Sequence, residues 1–372
     1  MKNHFRNYNL VNNKKDLEHL YSFKNFPIFM GSTKNHYSQD IKKDMHWFIS
    51  KSSGMIQLNP LIPEKILYSR SHNSGVVGKM WMEHHQKFAN FINKSGVLNV
   101  LEIGAGHGIL SQKVLSKKKI NWTIVEVNSI KKFKNVRYID GFFNKKILKK
   151  YKFDAIVMSH FLEHVYDINS LMNEFKEIEE DVKIFVSIPN LQEMLKRKYT
   201  NALNFEHTYY LDDKFFNIFM QKYGFKILKK LKFKSDHSIF YFLRRDAKST
   251  KKKFKNYYLQ NKKLFKNYIN SFQKIVLNVN KKIKFKKNVY LFGGHVFSQY
   301  MLNLGLNDEN IKCILDNDIK KHNKRLYGTQ LMINSPNIIK NDTQPVIILR
   351  AGVYNKEIKK QLLSLNSRCE IV

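Results

Sequence analysis

Apolar positions recur along this chain in two periods. From Val97 to Leu115 an apolar run, VLNVL, meets Glu102 and then glycines at alternate positions, Gly104, Gly106 and Gly108, before Ile109, Leu110 and Val114 take up a helical period. A buried strand, a tight turn and a helix read this way. Strand and helix go on alternating: Trp122 to Val127, Val136 to Ile139, Phe153 to Met158 and Val182 to Ile188 predict strands, with a helix over Ile168 to Ile178. Asp212 is placed to cap a helix reaching Tyr223, and Phe225 to Phe233 with Ser238 to Arg244 predict a closing hairpin. The order implies an α/β domain with a seven-stranded, Rossmann-like sheet.

Flanking stretches carry weaker patterns. The first forty or so residues hold little regularity, Met55 to Leu58 predicts a short strand, Pro60 and Pro63 punctuate a loop, and Lys79 to Ile92 predicts an amphipathic helix. On that helix His84 and His85 face different ways, so one should pack and the other be solvated. Lys248 to Lys284 is helical and lysine-rich, a connector with one packed face or a basic surface, and the connector is the preferred reading. A second strand-glycine-helix unit, NVYLFGGHVFSQYMLNLG, opens at Asn288 and is followed by strands at Ile311 to Leu315 and Val346 to Leu349, predicting a smaller Rossmann-like domain. Expected divisions are 1–86, 87–246, 247–286 and 287–372: an N-terminal module, the main domain, a helical linker and the C-terminal domain.

The main glycine turn is E-x-G-x-G-x-G rather than the G-x-G-x-x-G that cradles a pyrophosphate. It resembles motif I of the class I S-adenosylmethionine methyltransferases. That resemblance implies S-adenosylmethionine as cofactor, with Glu102, Gly104, Ala105, Gly106 and Gly108 around its methionine and ribose. Glu126, at a strand end, is placed to accept both ribose hydroxyls, or else caps the next segment. Asp140 and Gly141 would lie beside the adenine, where Phe142 or Phe143 stacks on the base or belongs to the core. Ser159 and His160 follow the fourth strand and would line the cofactor.

Composition narrows the picture. An apolar content of 43% with 13% aromatics argues for folded domains, and no apolar run is long enough to span a bilayer. The start, MKNHFRNYNL, lacks a secretion signal, so a cytoplasmic protein is expected. Cys313 and Cys369 form neither a disulfide framework nor a thiolate site, and no metal is expected. A formal charge of +36 invites a nucleic-acid partner. The lysines are nonetheless spread through the chain among Asn, Ile, Phe and Tyr, which suits A/T-rich codons better than a polynucleotide site.

The order of modules, with FLEHV at Phe161 to Val165, FEHTYYL at Phe205 to Leu211 and FGG at Phe292 to Gly294, resembles the nucleotide-sugar C-methyltransferases. The resemblance implies a small-molecule substrate, a nucleotide-linked keto-deoxy sugar of surface glycan biosynthesis. It also implies a Glu-His pair, Glu206 with His207, that takes the α-proton, and His164 or Tyr209 at the enolate oxygen. Three departures stand out. Ser50 and Ser53 stand where a zinc-binding C-x-x-C pair would be, leaving that module to packing alone; Asn204 replaces a tyrosine; and the C-terminal turn reads HVFSQ where a lysine would be expected. An RNA methyltransferase and a non-catalytic cofactor-binding scaffold remain as alternatives.

Overall fold

The computed structural model describes residues 4–69, 78–129, 133–235, 237–246 and 253–372. Its central sheet has seven strands, lying in the order Phe225–Phe233, Ser238–Arg245, Lys183–Pro189, Ala155–Ser159, Asn99–Ile103, Asn121–Glu126, Arg137–Asp140. The last five in that order are mutually parallel, and Ser238–Arg245 runs antiparallel to both its neighbours. Such a sheet buries both faces, so successive residues of a strand enter different cores. Val100, Ala155 and Val157 pack with Phe88, Ile92 and Leu110 on one face. On the other face Leu101, Ile103, Ile156 and Met158 share a core with Ile168, Leu171 and Phe175. The class I methyltransferase fold expected for this stretch is therefore present, with most strand limits within two residues of those expected.

The N-terminal region is more regular than the sequence suggested. Strands Leu17–Pro27, Lys42–Ser50 and Ile56–Leu58 make an antiparallel sheet. Irregular register between His19 and Tyr21 and between Phe23 and Phe26 breaks the alternation that would have marked the first strand. The expectation that packing alone holds this module is also corrected. Asp16 Oδ2 accepts from Ser52 N at 2.8 Å and from Ser50 Oγ at 3.1 Å. Asn9 Oδ1 accepts from Val11 N at 2.8 Å, while its amide nitrogen donates to Asn12 and Asp16. A hydrogen-bonded knot thus occupies the corner where the cysteine pair would stand.

The C-terminal domain has a second seven-stranded sheet, with Val346–Leu349, Val289–Phe292 and Ile311–Leu315 parallel at its centre. Its far edge is supplied from the other end of the chain: Ser32–Thr33 pairs with Lys324–Leu326. Arg325 Nη2 donates to Asp40 at 2.8 Å beside that junction. The helix Tyr258–Ile283 buries Phe265, Tyr268, Phe272, Val276 and Val279 along one stripe. The helix Lys79–Asn93 runs through the expected division at residue 87 and packs on the central sheet.

Candidate functional site

A cleft of about 540 Å³ opens along the C-terminal ends of the central parallel strands and is walled on its far side by the C-terminal domain. Its floor is the main glycine turn. Gly104 has φ +72°, and a Cβ there would lie 2.4 Å from Phe161 Cδ2, so this glycine is required by the protein's own packing. Gly106 differs: at φ +55° a Cβ would meet nothing within 4 Å, leaving an open approach to bare backbone. Its N–H donates to Glu126 Oε2 at 2.8 Å. Gly108 caps the helix Ile109–Leu115 in the left-handed conformation, with Ile124, Phe133 and Tyr138 around it, and stands behind the turn rather than in the cleft.

The acids at the strand ends brace this floor. Glu126 Oε1 also accepts from Val127 N at 2.8 Å and Asn128 N at 3.2 Å, so its carboxylate ties the turn to the second strand. Glu102 is buried beneath; its Oε2 accepts from Trp122 Nε1 at 2.8 Å. Burial pushes its pKa up to about 8, against the pull of the Trp122 bond. Asp140 pairs with Glu126 across the parallel register, and Gly141 N donates to the Glu126 carbonyl at 3.0 Å. Phe142 is exposed, whereas Phe143 stands edge-on to Phe175 at 5.6 Å and belongs to the core.

Past the fourth strand, Ser159 and His160 line the cleft, His160 with φ +51°. Its Nε2 meets Ser238 Oγ at 2.8 Å, and His237 Nδ1 meets the same hydroxyl at 2.6 Å. His84 joins this group, its Nε2 2.9 Å from Ser187 Oγ. His85 is not solvated as expected: it turns into the cleft, and both its ring nitrogens are buried without a hydrogen-bond partner. Trp81 lies edge-on to His84, His160 and His237, with centroids 4.9–5.2 Å away. Burial pushes His84 well down and His237 down to about 3, so both rings are neutral. Three segments far apart in the chain build this cluster, and neither period nor motif marked His237.

Glu206 and His207 enter from the segment after the fifth strand, and the N-terminal sheet holds them there. Leu58 N donates to Thr208 O at 2.9 Å and Tyr210 N to Ile56 O at 2.8 Å, so FEHTYYL lies alongside the strand Ile56–Leu58. The buried Arg6 guanidinium donates to the carbonyls of Tyr166, Leu58 and Thr208, which fastens the same edge. Asn204, in place of the tyrosine, accepts from Glu206 N at 2.8 Å and His207 N at 3.0 Å and sets the turn that aims the pair. His207 Nδ1 donates to Ala202 O at 2.9 Å, leaving Nε2 as the lone-pair nitrogen. Burial, then the neighbouring His164, push its pKa down to about 4.

His164 stands with its ring centroid 5.2 Å from that of His207, and its Nδ1 is 3.9 Å from Glu206 Oε2. Beneath them lies Glu163, fully buried, with His160 Nδ1 at 3.2 Å and His164 Nε2 at 3.9 Å. Burial would raise the Glu163 pKa, but the contact with His160 and the surrounding imidazoles outweigh it and hold the carboxyl below its usual range. Tyr209 is corrected: its hydroxyl donates to Leu162 O inside the core, so it does not reach an acceptor in the cleft. From the C-terminal domain come Phe292, Gly293, His295, Asp316 and Lys321. Of the expected cofactor residues, Glu102, Gly104, Ala105, Gly106, Ser159 and His160 line the cleft itself.

Residues 77–230 match a family model described as a methyltransferase domain. No curated protein matches the sequence. Among solved structures the chain is similar to an O-methyltransferase family protein from Burkholderia thailandensis, at 9% identity and TM-score 0.37 over 45% of this chain and 57% of that one. It is also similar to the N-methyltransferase NodS from Bradyrhizobium japonicum WM9, at 14% identity and TM-score 0.34 over 46% and 99%. The mitomycin 7-O-methyltransferase MmcR gives 13% identity and TM-score 0.34 over 49% and 62%. The chain thus spans less than two thirds of the first and third of these. Among the described residues no helix is long and apolar enough to cross a membrane. The central sheet thus has the class I methyltransferase strand order, and residues 77–230 match a methyltransferase domain. S-adenosylmethionine is its methyl donor, and the open backbone at Gly106 beside the Glu126 strand end suits that ligand.

Proposed function

We propose that this methyltransferase acts on a sugar, a nucleotide-linked keto-deoxy sugar used in surface glycan assembly, and that the acceptor sits between Gly106 and the His164, Glu206 and His207 wall. One observation carries the reading: the unprotonated Nε2 of His207 belongs to the same cleft as the glycine floor, with the C-terminal domain closing the far side. The bound donor supplies an electrophilic methyl on a sulfonium. The protein's part is to hold the acceptor in line and to remove its proton. The Glu206 and His207 pair takes that proton from the carbon beside the ketone. Ser159 and His160 keep the donor's methionine end against the fourth strand.

Incubation with labelled donor and a panel of nucleotide-linked keto sugars, followed by mass and NMR analysis of the product, tests the substrate. Transfer to generic RNA and to none of the sugars would end the reading. His207→Ala should leave donor affinity by calorimetry intact and lower turnover by at least ~100-fold, the contribution of a positioned general base. Unchanged turnover would remove His207 from the chemistry.

A further inference from the structure

We propose that Glu163, His164 and His207 bind a divalent transition-metal ion at the back of the cleft, and that this ion polarises the acceptor's carbonyl oxygen. The inference rests on the acceptor assignment above for the ion's role, but not for its binding. Donor atoms of these three side chains all lie within 4.8 Å of one another. Glu163 has no exposed surface, and neither of its oxygens receives a hydrogen bond; His160 Nδ1 stands at 3.2 Å without the alignment of one. His164 Nδ1 is likewise buried with no hydrogen-bond partner. Glu206, also buried, brings a second carboxylate to within 3.9 Å of the same ring. Two buried carboxylates facing imidazole nitrogens offer a mixed O/N donor set that favours a cation between them.

The donor set also has the right chemistry. Two imidazoles and one carboxylate suit Mn²⁺, Fe²⁺, Co²⁺ or Zn²⁺ and leave coordination positions for a ligand. His207 is already oriented as metal-bound histidines are, with its other ring nitrogen donating to a backbone carbonyl, that of Ala202. Of His164 and Tyr209, the two groups expected at the enolate oxygen, Tyr209 points into the core and His164 is one of the three ligands, which leaves the position beside that oxygen open. The ion fills it instead. The acceptor's carbonyl oxygen donates a lone pair to the ion, which keeps its oxidation state; the α C–H proton passes to Glu206, and the C–H electron pair becomes the enolate. Within the Glu206 and His207 pair, His207 then serves as ligand and Glu206 as the base that takes the proton.

Binding is tested on the full chain without an affinity tag, stripped with chelator and titrated with Co²⁺ and Mn²⁺ by calorimetry, with elemental analysis after dialysis. One equivalent per chain is expected, weakened at least tenfold in Glu163→Gln and in His207→Ala, while donor affinity stays as in the parent and reports that the variants are folded. No saturable binding overturns the proposal, as does binding lost in His237→Ala but not in His207→Ala, which would move the ion to the His84, His160 and His237 cluster. Methyl transfer to a keto sugar that persists undiminished in excess chelator overturns the ion's role and leaves the substrate reading standing. Stoichiometric binding without transfer to any sugar does the reverse.

Discussion

The two glycine turns at this cleft use one device to different ends. In each, a glycine N–H at the end of a domain's first parallel strand donates to an acid from the neighbouring strand's end: Gly106 to Glu126 at 2.8 Å, Gly294 to Asp316 at 2.7 Å. Above Gly106 there is open space, whereas a Cβ on Gly294 would lie 2.7 Å from Ile333 Cδ1. Asp316 also holds Lys321 at 3.0 Å, while the acid beneath the first turn, Glu102, is buried with a Trp122 N–H as its partner. A glycine turn is therefore not by itself a ligand cradle; what matters is whether the protein fills the volume that the missing side chain leaves.

The sharpest way to break this contrast is to fill that volume. Gly106→Val should cost about 1–2 kcal/mol of stability for a β-branched residue in the left-handed region, yet weaken S-adenosylmethionine binding at least ~100-fold, which is ~2.7 kcal/mol. Calorimetry that finds parental affinity would place the donor elsewhere. Gly294→Ala should do the opposite. Its methyl must displace Ile333, at an expected ~1–3 kcal/mol in thermal or denaturant unfolding, with donor affinity unmoved; weakened donor binding would join the second turn to the cofactor site.

A further effect is spread over pH and concerns Glu102. Because burial raises its folded pKa to about 8, from an ordinary value of 4.5, the native state holds a proton that the unfolded chain gives up. Stability from this group is complete below the unfolded pKa and lost as pH rises through the folded one, with a slope of at most ~1.4 kcal/mol per pH unit. Glu102→Gln keeps an acceptor for Trp122 and should flatten that decline in unfolding measured across the window. An unchanged slope would mean that Glu102 is ionised in the fold.

The central sheet was legible because its strands are short apolar runs separated by helical ones, and the hairpin Phe225–Phe233 with Ser238–Arg245 came out within a residue of expectation. The strand Leu17–Pro27 was not, since its bulges shift the alternating face midway. Glu206, His207 and His164 were singled out through a resemblance, yet nothing in their sequence neighbourhood predicted that Arg6 and the strand Ile56–Leu58 hold them in place. Glu163 entered only as one letter of FLEHV. Its role as the buried charge among His160, His164 and His207 exists only once three separated segments meet. Long-range burial, unlike period, leaves no local mark.

The pairing of Ser32–Thr33 with Lys324–Leu326 sews the chain's beginning to its last lobe. Any hinge that widens the gap between the lobes has to stretch this two-residue tether, so its give limits how far the mouth can gape when molecules enter and leave.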